Sequence, residues 1–318
     1  MSDLPSRVTI YEVGPREGFQ FEKHFIATDR KLALVDALAR TGVADIEVTS
    51  FVNPKWVPQM ADAEEVSAGL KPVDGLAYSC LYLNTKGLER AAATGKYHFD
   101  GALKLGASPL FIKKNTNKTI EETAATFPEW IDKYEELGVP VEQATVNAAW
   151  GCNYQGEIPH QWVLDRISTI EKAINDRGYE LKRLLISDTM GWANPVQTRA
   201  LLGKIRDRWP ELQIRMHMHD TRGPGLVNIL VALEMGISHF DSAIAGLGGC
   251  PFAGHSAAAG NICTEDLVFM CHEMGIETGI DLEALIEAAR LAEDIVGHPL
   301  PGKVMKGGSL KQYRREAA

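Results

Sequence analysis

Short apolar runs alternate with longer amphipathic stretches along most of the chain. Eight runs read as strands: 8–13 (VTIYEV), 45–51 (DIEVTSF), 76–83 (LAYSCLYL), 99–106 (FDGALKLG), 142–149 (EQATVNAA), 183–189 (RLLISDT), 213–220 (QIRMHMHD) and 240–246 (FDSAIAG). Each is short and mostly apolar, the pattern of strands buried on both faces. The intervening stretches carry helical signals. Residues 27–42 open on a Thr cap and close on Gly42, the expected polarity of a helix. Residues 119–138 start acidic and end at Gly138, with Pro128 expected to kink or split them. Helices are also expected within 160–178, 194–209, 225–236 and 264–275. Residues 280–318 read as a helix followed from about 302 by a polar tail, GKVMKGGSLKQYRREAA, whose end is expected to be disordered.

Eight strand–helix alternations in 318 residues favour a closed (β/α)8 TIM barrel with a short C-terminal helical extension, one domain over 1–318. A doubly wound open sheet is the alternative. Against it, no Gly-rich dinucleotide fingerprint follows the first strand, and no repeat or interdomain linker interrupts the pattern.

Composition narrows the function. With 45% hydrophobic and 24% charged residues the chain has the balance of an ordinary soluble protein. A net charge of -9 disfavours broad nucleic-acid binding and admits an anionic ligand only at a local basic patch. The five cysteines are scattered, with no CxxC pair, as suits free thiols in a reducing compartment. Apolar runs fall short of the roughly 18 residues of a membrane span, and MSDLPSRVTI lacks a signal-peptide core. The expected location is the cytoplasm, with no nucleic-acid or membrane partner.

A barrel enzyme places its chemistry where strands end, and polar residues gather there. Strand 1 runs into Gly14-Pro15-Arg16-Glu17-Gly18, strand 2 carries Glu47, Thr49 and Ser50, and strand 6 ends at Asp188-Thr189. Strand 7 gives His217 and His219, and strand 8 leads into a Gly-rich loop holding Cys250, His255 and Asn261. Residues two apart on a strand face one side, so His217 and His219 can share a ligand. Two imidazoles with a carboxylate and an amide oxygen, Glu17 and Asn261 being the co-ligand candidates, suit a hard divalent ion such as Mg²⁺ or Mn²⁺. A hydrogen-bonded core pair of histidines is the plainer reading. Glu47 could equally be a buried partner of Arg16, and Asp188 a helix cap.

Several stretches together carry a family resemblance: EVGPREGFQFEK (12–23), IEVTSFVNPKWVPQMADAEEV (46–66), IKKNTNKTIEE (112–122), GCNYQGEI (151–158), SDTMGWANP (187–195), HMHDTRG (217–223) and AGLGGCPFA (245–253). In these the chain resembles the 3-hydroxy-3-methylglutaryl-CoA (HMG-CoA) lyase family of metal-dependent TIM-barrel lyases, related to Claisen-type synthases. The resemblance implies that His217, His219 and Asn261 are metal ligands, with Glu17 where the family has aspartate. It implies a substrate-polarising Arg16, site carboxylates Glu47 and Asp188, and a mobile-loop Cys250. Gln20, Lys23, Ser50, Thr189 and His255 are the expected substrate contacts. Lys23, Lys55, Lys113 and Lys114 offer a basic patch for coenzyme A phosphates, and the family suggests a homodimer.

Two departures bear on the substrate. The extra methylene of Glu17 moves its carboxylate by more than ~1 Å, and the Cys250–Asn261 loop looks two residues longer than the family's. The implied reaction is retro-Claisen cleavage of an HMG-CoA-like substrate to acetyl-CoA and acetoacetate, with citramalyl-CoA, giving pyruvate, as the alternative. Arg16 would stabilise the thioester enolate, Asp188 or His217 would take the hydroxyl proton, and Cys250 would protonate the enolate carbon. A condensing synthase and a non-catalytic CoA-binding protein are the other classes that this pattern leaves open.

Overall fold

A computed structural model describes residues 4–248 and 260–314. Eight strands form one sheet: β1 Thr9–Glu12, β2 Asp45–Ser50, β3 Ala77–Leu81, β4 Ala102–Gly106, β5 Gln143–Asn147, β6 Arg183–Ser187, β7 Gln213–His217 and β8 His239–Ser242. Their order is β3-β2-β1-β8-β7-β6-β5-β4, and every ladder is parallel. Each strand therefore lies beside its sequence neighbours, with β1 against β8. That is the wrap of a TIM barrel; a doubly wound sheet reverses direction at its middle. At the seam between β3 and β4 the chain closes through His98 N, which donates to the Tyr78 carbonyl at 3.0 Å.

Alternation along the strands decides what the barrel encloses. Ala144, Val146, Leu184, Ile186, Ile214 and Met216 are fully buried core residues on the outer face. Their neighbours Gln143, Thr145, Asn147, Leu185, Ser187, Arg215 and His217 line a central cavity of about 1110 Å³. The expectation of strands apolar on both faces thus holds for the outer face alone. The inner face encloses a polar lumen where packed aliphatic layers are the rule.

The longer helices fall where the pattern puts them, but the Thr cap expected for the first is absent: Ala27 is its N-cap with no side-chain cap hydrogen bond, and Thr28 Oγ1 donates to Asp62 Oδ2 at 2.7 Å. Residues 119–138 split in two, as Pro128 implied. Helix α5 (Ile120–Ala124) starts on a Thr119–Glu122 capping box, and α6 (Phe127–Glu136) carries Pro128 in its first turn, where a missing N–H costs nothing. Helices α1 (Thr28–Ala39), α7 (His160–Asn175), α8 (Pro195–Arg208), α9 (Gly225–Glu234), α10 (Thr264–Glu273) and α11 (Leu282–Val296) lie within their expected stretches. The hydrophobic pattern missed α2 (Ala63–Gly69), α3 (Thr85–Ala93) and α4 (Pro109–Thr116), which are short. Side-chain caps from Asn84 and Ser108 start α3 and α4.

Beyond α11 the chain docks back onto the barrel. The Asp266 carboxylate accepts from Lys303 N and Val304 N at 3.0 and 2.7 Å, starting α12 (Val304–Gly307). The polar tail read from about residue 302 thus carries α12 and, at Lys311–Tyr313, one short helical turn. Among the described residues no helix is long and apolar enough to cross a membrane.

Candidate active site and metal centre

The turn after β1 is a single π-helical turn, Gly14–Gly18, and it carries Arg16 and Glu17 to the rim. Such turns are rare and occur mostly at functional sites. Close packing demands its glycines: a Cβ on Gly14 would lie 2.6 Å from Glu12 Oε1, and one on Gly18 2.6 Å from Leu247 Cβ. Glu12 braces the turn from below, accepting from Gly14 N and Ile244 N at 2.7 and 2.9 Å and from Thr264 Oγ1 at 2.6 Å.

Glu17 meets both strand-7 histidines. Its Oε2 lies 3.7 Å from His217 Nε2 and its Oε1 3.7 Å from His219 Nε2. The two Nε2 atoms face each other at 3.2 Å. Burial works against charge on Glu17, but His217, Arg16 and His219 outweigh it and hold its carboxyl well below the usual range. Glu17, His217 and His219 offer donor atoms within 4.8 Å of one another, so they could hold a metal ion. Asn261 pairs in an antiparallel bridge with His219, and its Nδ2 donates to the Leu247 carbonyl at 3.3 Å. Its amide oxygen is left as a further hard donor.

Asp241 on β8 sits behind His217, whose Nδ1 is 3.0 Å from Asp241 Oδ2. Burial raises the Asp241 pKa, but Arg215 and His217 more than offset it, so the group stays ionised. An ionised carboxylate only accepts, so Nδ1 carries the proton and Nε2 presents its lone pair. With that tautomer fixed, two imidazole nitrogens 3.2 Å apart beside a carboxylate need a shared proton or a cation. The donor set fits a divalent cation. Burial lowers the His217 pKa, yet Glu17 and Asp241 together leave it above its ordinary value.

Arg16 Nε donates to Glu47 Oε2 at 2.5 Å and its Nη2 to Glu17 Oε2 at 3.3 Å. The pairing of Glu47 with Arg16 read from the sequence is therefore present, and it positions the guanidinium beside the metal group. Asp188, 1% exposed, accepts from Trp192 N and Ala193 N at 2.8 and 3.0 Å. Burial raises its pKa above the ordinary value, against those two hydrogen bonds and the nearby histidines. It braces the turn into α8, while Asn194 caps the helix itself.

Arg16, Glu17, Gln20, Glu47, Thr189, His217 and His219 all line the central cavity. Gln20 Oε1 is buried there without a partner among the described residues. Ser50 is fully buried and does not line it, and Lys23 is exposed outside it. Cys250 and His255 lie outside the described residues. Sequence reasoning missed Asp241, Arg215 and Lys104. The signal was available in the strand alternation, since Arg215 and His217 are two apart on β7 and share its inner face.

A parallel barrel with a His–His–carboxylate group and an arginine at the carboxyl ends of its strands defines a TIM-barrel enzyme whose donor atoms could hold a metal ion. The family model described as HMGL-like matches residues 7–292, and the chain belongs to that family. It is 41% identical over 289 residues to the cytoplasmic 3-hydroxy-3-methylglutaryl-CoA lyase of Rattus norvegicus, covering 91% of this chain and 81% of that protein. The Bacillus subtilis HMG-CoA lyase structure superposes with a TM-score of 0.87 at 37% identity, covering 96% of this chain and 99% of that one. An Acinetobacter baumannii HMG-CoA lyase, solved with coenzyme A and 3-methylmalate, gives 0.86 at 36% identity and full coverage of both chains.

Proposed function

We propose that this protein is a carbon–carbon lyase that cleaves an HMG-CoA-like 3-hydroxyacyl-CoA to acetyl-CoA and a keto acid, acetoacetate for HMG-CoA itself. The observation that carries the reading is the group formed by Glu17, His217 and His219 with Arg16 paired beside it. Glu17, His217, His219 and Asn261 would hold Mg²⁺ or Mn²⁺, which as a Lewis acid would acidify the substrate hydroxyl and orient it with a carbonyl oxygen.

The chain's own residues account for the rest. Arg16, fixed by Glu47 and Glu17, is placed to stabilise negative charge on the thioester oxygen. His217, tied to Asp241 through Nδ1, and Asp188, whose pKa burial raises, are the two candidates for the hydroxyl proton. As the C2–C3 bond breaks, C3 becomes a ketone carbonyl and the bonding pair moves into the thioester enolate. The Cys250 thiol then returns a proton to C2, giving acetyl-CoA. Gln20 and Thr189 line the cavity against the substrate, and Lys114 with Asn115 lies along it as a basic approach for CoA phosphates. His255 completes the proposed substrate contacts, without Ser50 and Lys23, which do not line the cavity. One barrel unit spans the chain, it acts as a homodimer, and its place is the cytoplasm.

Citramalyl-CoA is the second reading, favoured by Glu17 in the metal group where the family has aspartate; the 3-methylmalate bound by one relative is likewise a hydroxylated dicarboxylate. The test incubates the protein and Mg²⁺ with HMG-CoA and citramalyl-CoA separately and measures acetyl-CoA. Release from one alone identifies the substrate; release from neither removes this reading.

A further inference from the structure

One layer below the metal group, Lys104, Thr145, Leu185 and Arg215 stand in register on β4 to β7. All four line the cavity. Register places this layer two residues below His217, about 7 Å at the usual strand rise. Its cations differ in one respect. Arg215 is committed to Asp241 and lies 3.5 Å from the centre of the Tyr11 ring. Lys104 Nζ, among the described residues, has no hydrogen bond or ion pair, and it lies 5.3 Å from the centre of the Tyr82 ring. The acids nearest in charge are occupied elsewhere: Glu47 by Arg16, and Asp100 by His98 and Arg183. Beside Lys104 in the register, Thr145 Oγ1 is buried with no partner among the described residues.

We infer that Lys104 and Thr145 recognise the carboxylate at the end of the acyl group remote from the thioester and so set specificity at that end. The inference rests on the lyase reading and assigns to it a specificity-determining pair. A lone ammonium on an enclosed wall is costly without an opposite charge. A carboxylate there would supply that charge and accept the Thr145 hydroxyl. Burial lowers the Lys104 pKa, with Glu47 and Asp100 acting against the shift, and a bound carboxylate would add to their effect.

The test compares HMG-CoA with 3-hydroxy-3-methylbutyryl-CoA, which keeps the carbinol centre and lacks the terminal carboxylate. Both are assayed for acetyl-CoA release with Mg²⁺, using wild type, Lys104→Met and Lys104→Arg. Wild type should prefer HMG-CoA. Lys104→Met should lower kcat/KM for HMG-CoA roughly 10- to 100-fold, the worth of a charged hydrogen bond, and shrink the preference; Lys104→Arg should restore part of it. The melting temperature of Lys104→Met should equal or exceed that of wild type, because an unpaired, half-buried charge is removed. An unchanged preference, or a fall in melting temperature with both substrates slowed in parallel, overturns the subsite and leaves the lyase reading standing. No acetyl-CoA from wild type with either thioester, and none with citramalyl-CoA, removes the lyase reading, and the subsite with it.

Discussion

His217 on β7 donates its Nδ1 hydrogen to Asp241 on the neighbouring β8 across 3.0 Å. The bond sets which nitrogen faces the cavity, and Arg215 on the far side of Asp241 keeps the acceptor charged. A two-strand relation thereby prepares a ligand nitrogen before any cation arrives.

Replacing Asp241 by Asn keeps the shape and removes the charge that selects the tautomer. Metal affinity should fall about 10- to 100-fold, the usual cost of losing a carboxylate behind a ligating histidine. Calorimetric titration with Mn²⁺ measures it, and wild-type affinity in the variant would show that Asp241 does not orient His217.

Cys250→Ser should cut turnover about 10²- to 10⁴-fold, the typical contribution of a positioned acid or base, while Mn²⁺ titrates as in wild type. If the serine variant releases acetyl-CoA at the wild-type rate, another group supplies the enolate proton.

Glu265 gives a pH signature away from the cavity. Its Oε2 accepts from Ala245 N at 2.9 Å, its Oε1 has no partner, and burial pushes its pKa up to about 8. The folded chain therefore holds a proton that the unfolded chain releases above the ordinary glutamate value of 4.5. This stabilisation is complete below that value and is lost as pH rises through about 8. Glu12, raised to about 7 by burial, acts in the same direction. Glu265→Gln keeps the neutral form at every pH, so its melting temperature should fall less than that of wild type between pH 5 and pH 9. Parallel melting curves would show that Glu265 is ionised throughout.

Gly151 lies where a Cβ would come 2.3 Å from Trp192 Cδ2. Trp192 in turn donates its backbone N–H to Asp188 and its Nε1 to Asn153. Gly151→Ala should cost about 1–3 kcal/mol by overpacking and lower kcat by displacing the turn that holds Asp188. Gly203→Ala, inside α8 with open space at its Cβ, should instead stabilise by up to ~1 kcal/mol. Denaturant melts of the two variants check the contrast, and equal effects would refute it.

Much of this was legible in the chain. The spacing of apolar runs gave all eight strands, and the HMH triplet put two imidazoles on one strand face. The sequence motifs also placed Arg16 and Glu17 directly after strand 1. Strand ends were read too long at the rim: β7 stops at His217, not at residue 220, because the backbone there leaves the ladder to bring His219 beside Asn261. The short helices α2 to α4 escaped notice because none is long enough to show an apolar stripe, and side-chain caps mark only α3 and α4.

Local pattern by itself determined the order of elements and the residue types at each strand end, since both depend on neighbours a few positions apart. Which polar groups share one space was decided only by closure of the barrel. Glu17 meets His217 across 200 positions of sequence, and Asp241 reaches His217 from the next strand. Lys104 stands opposite no acid of its own. These relations follow from register and from the inner or outer sense of each side chain, which are fixed when the sheet closes into a barrel and not by any single segment.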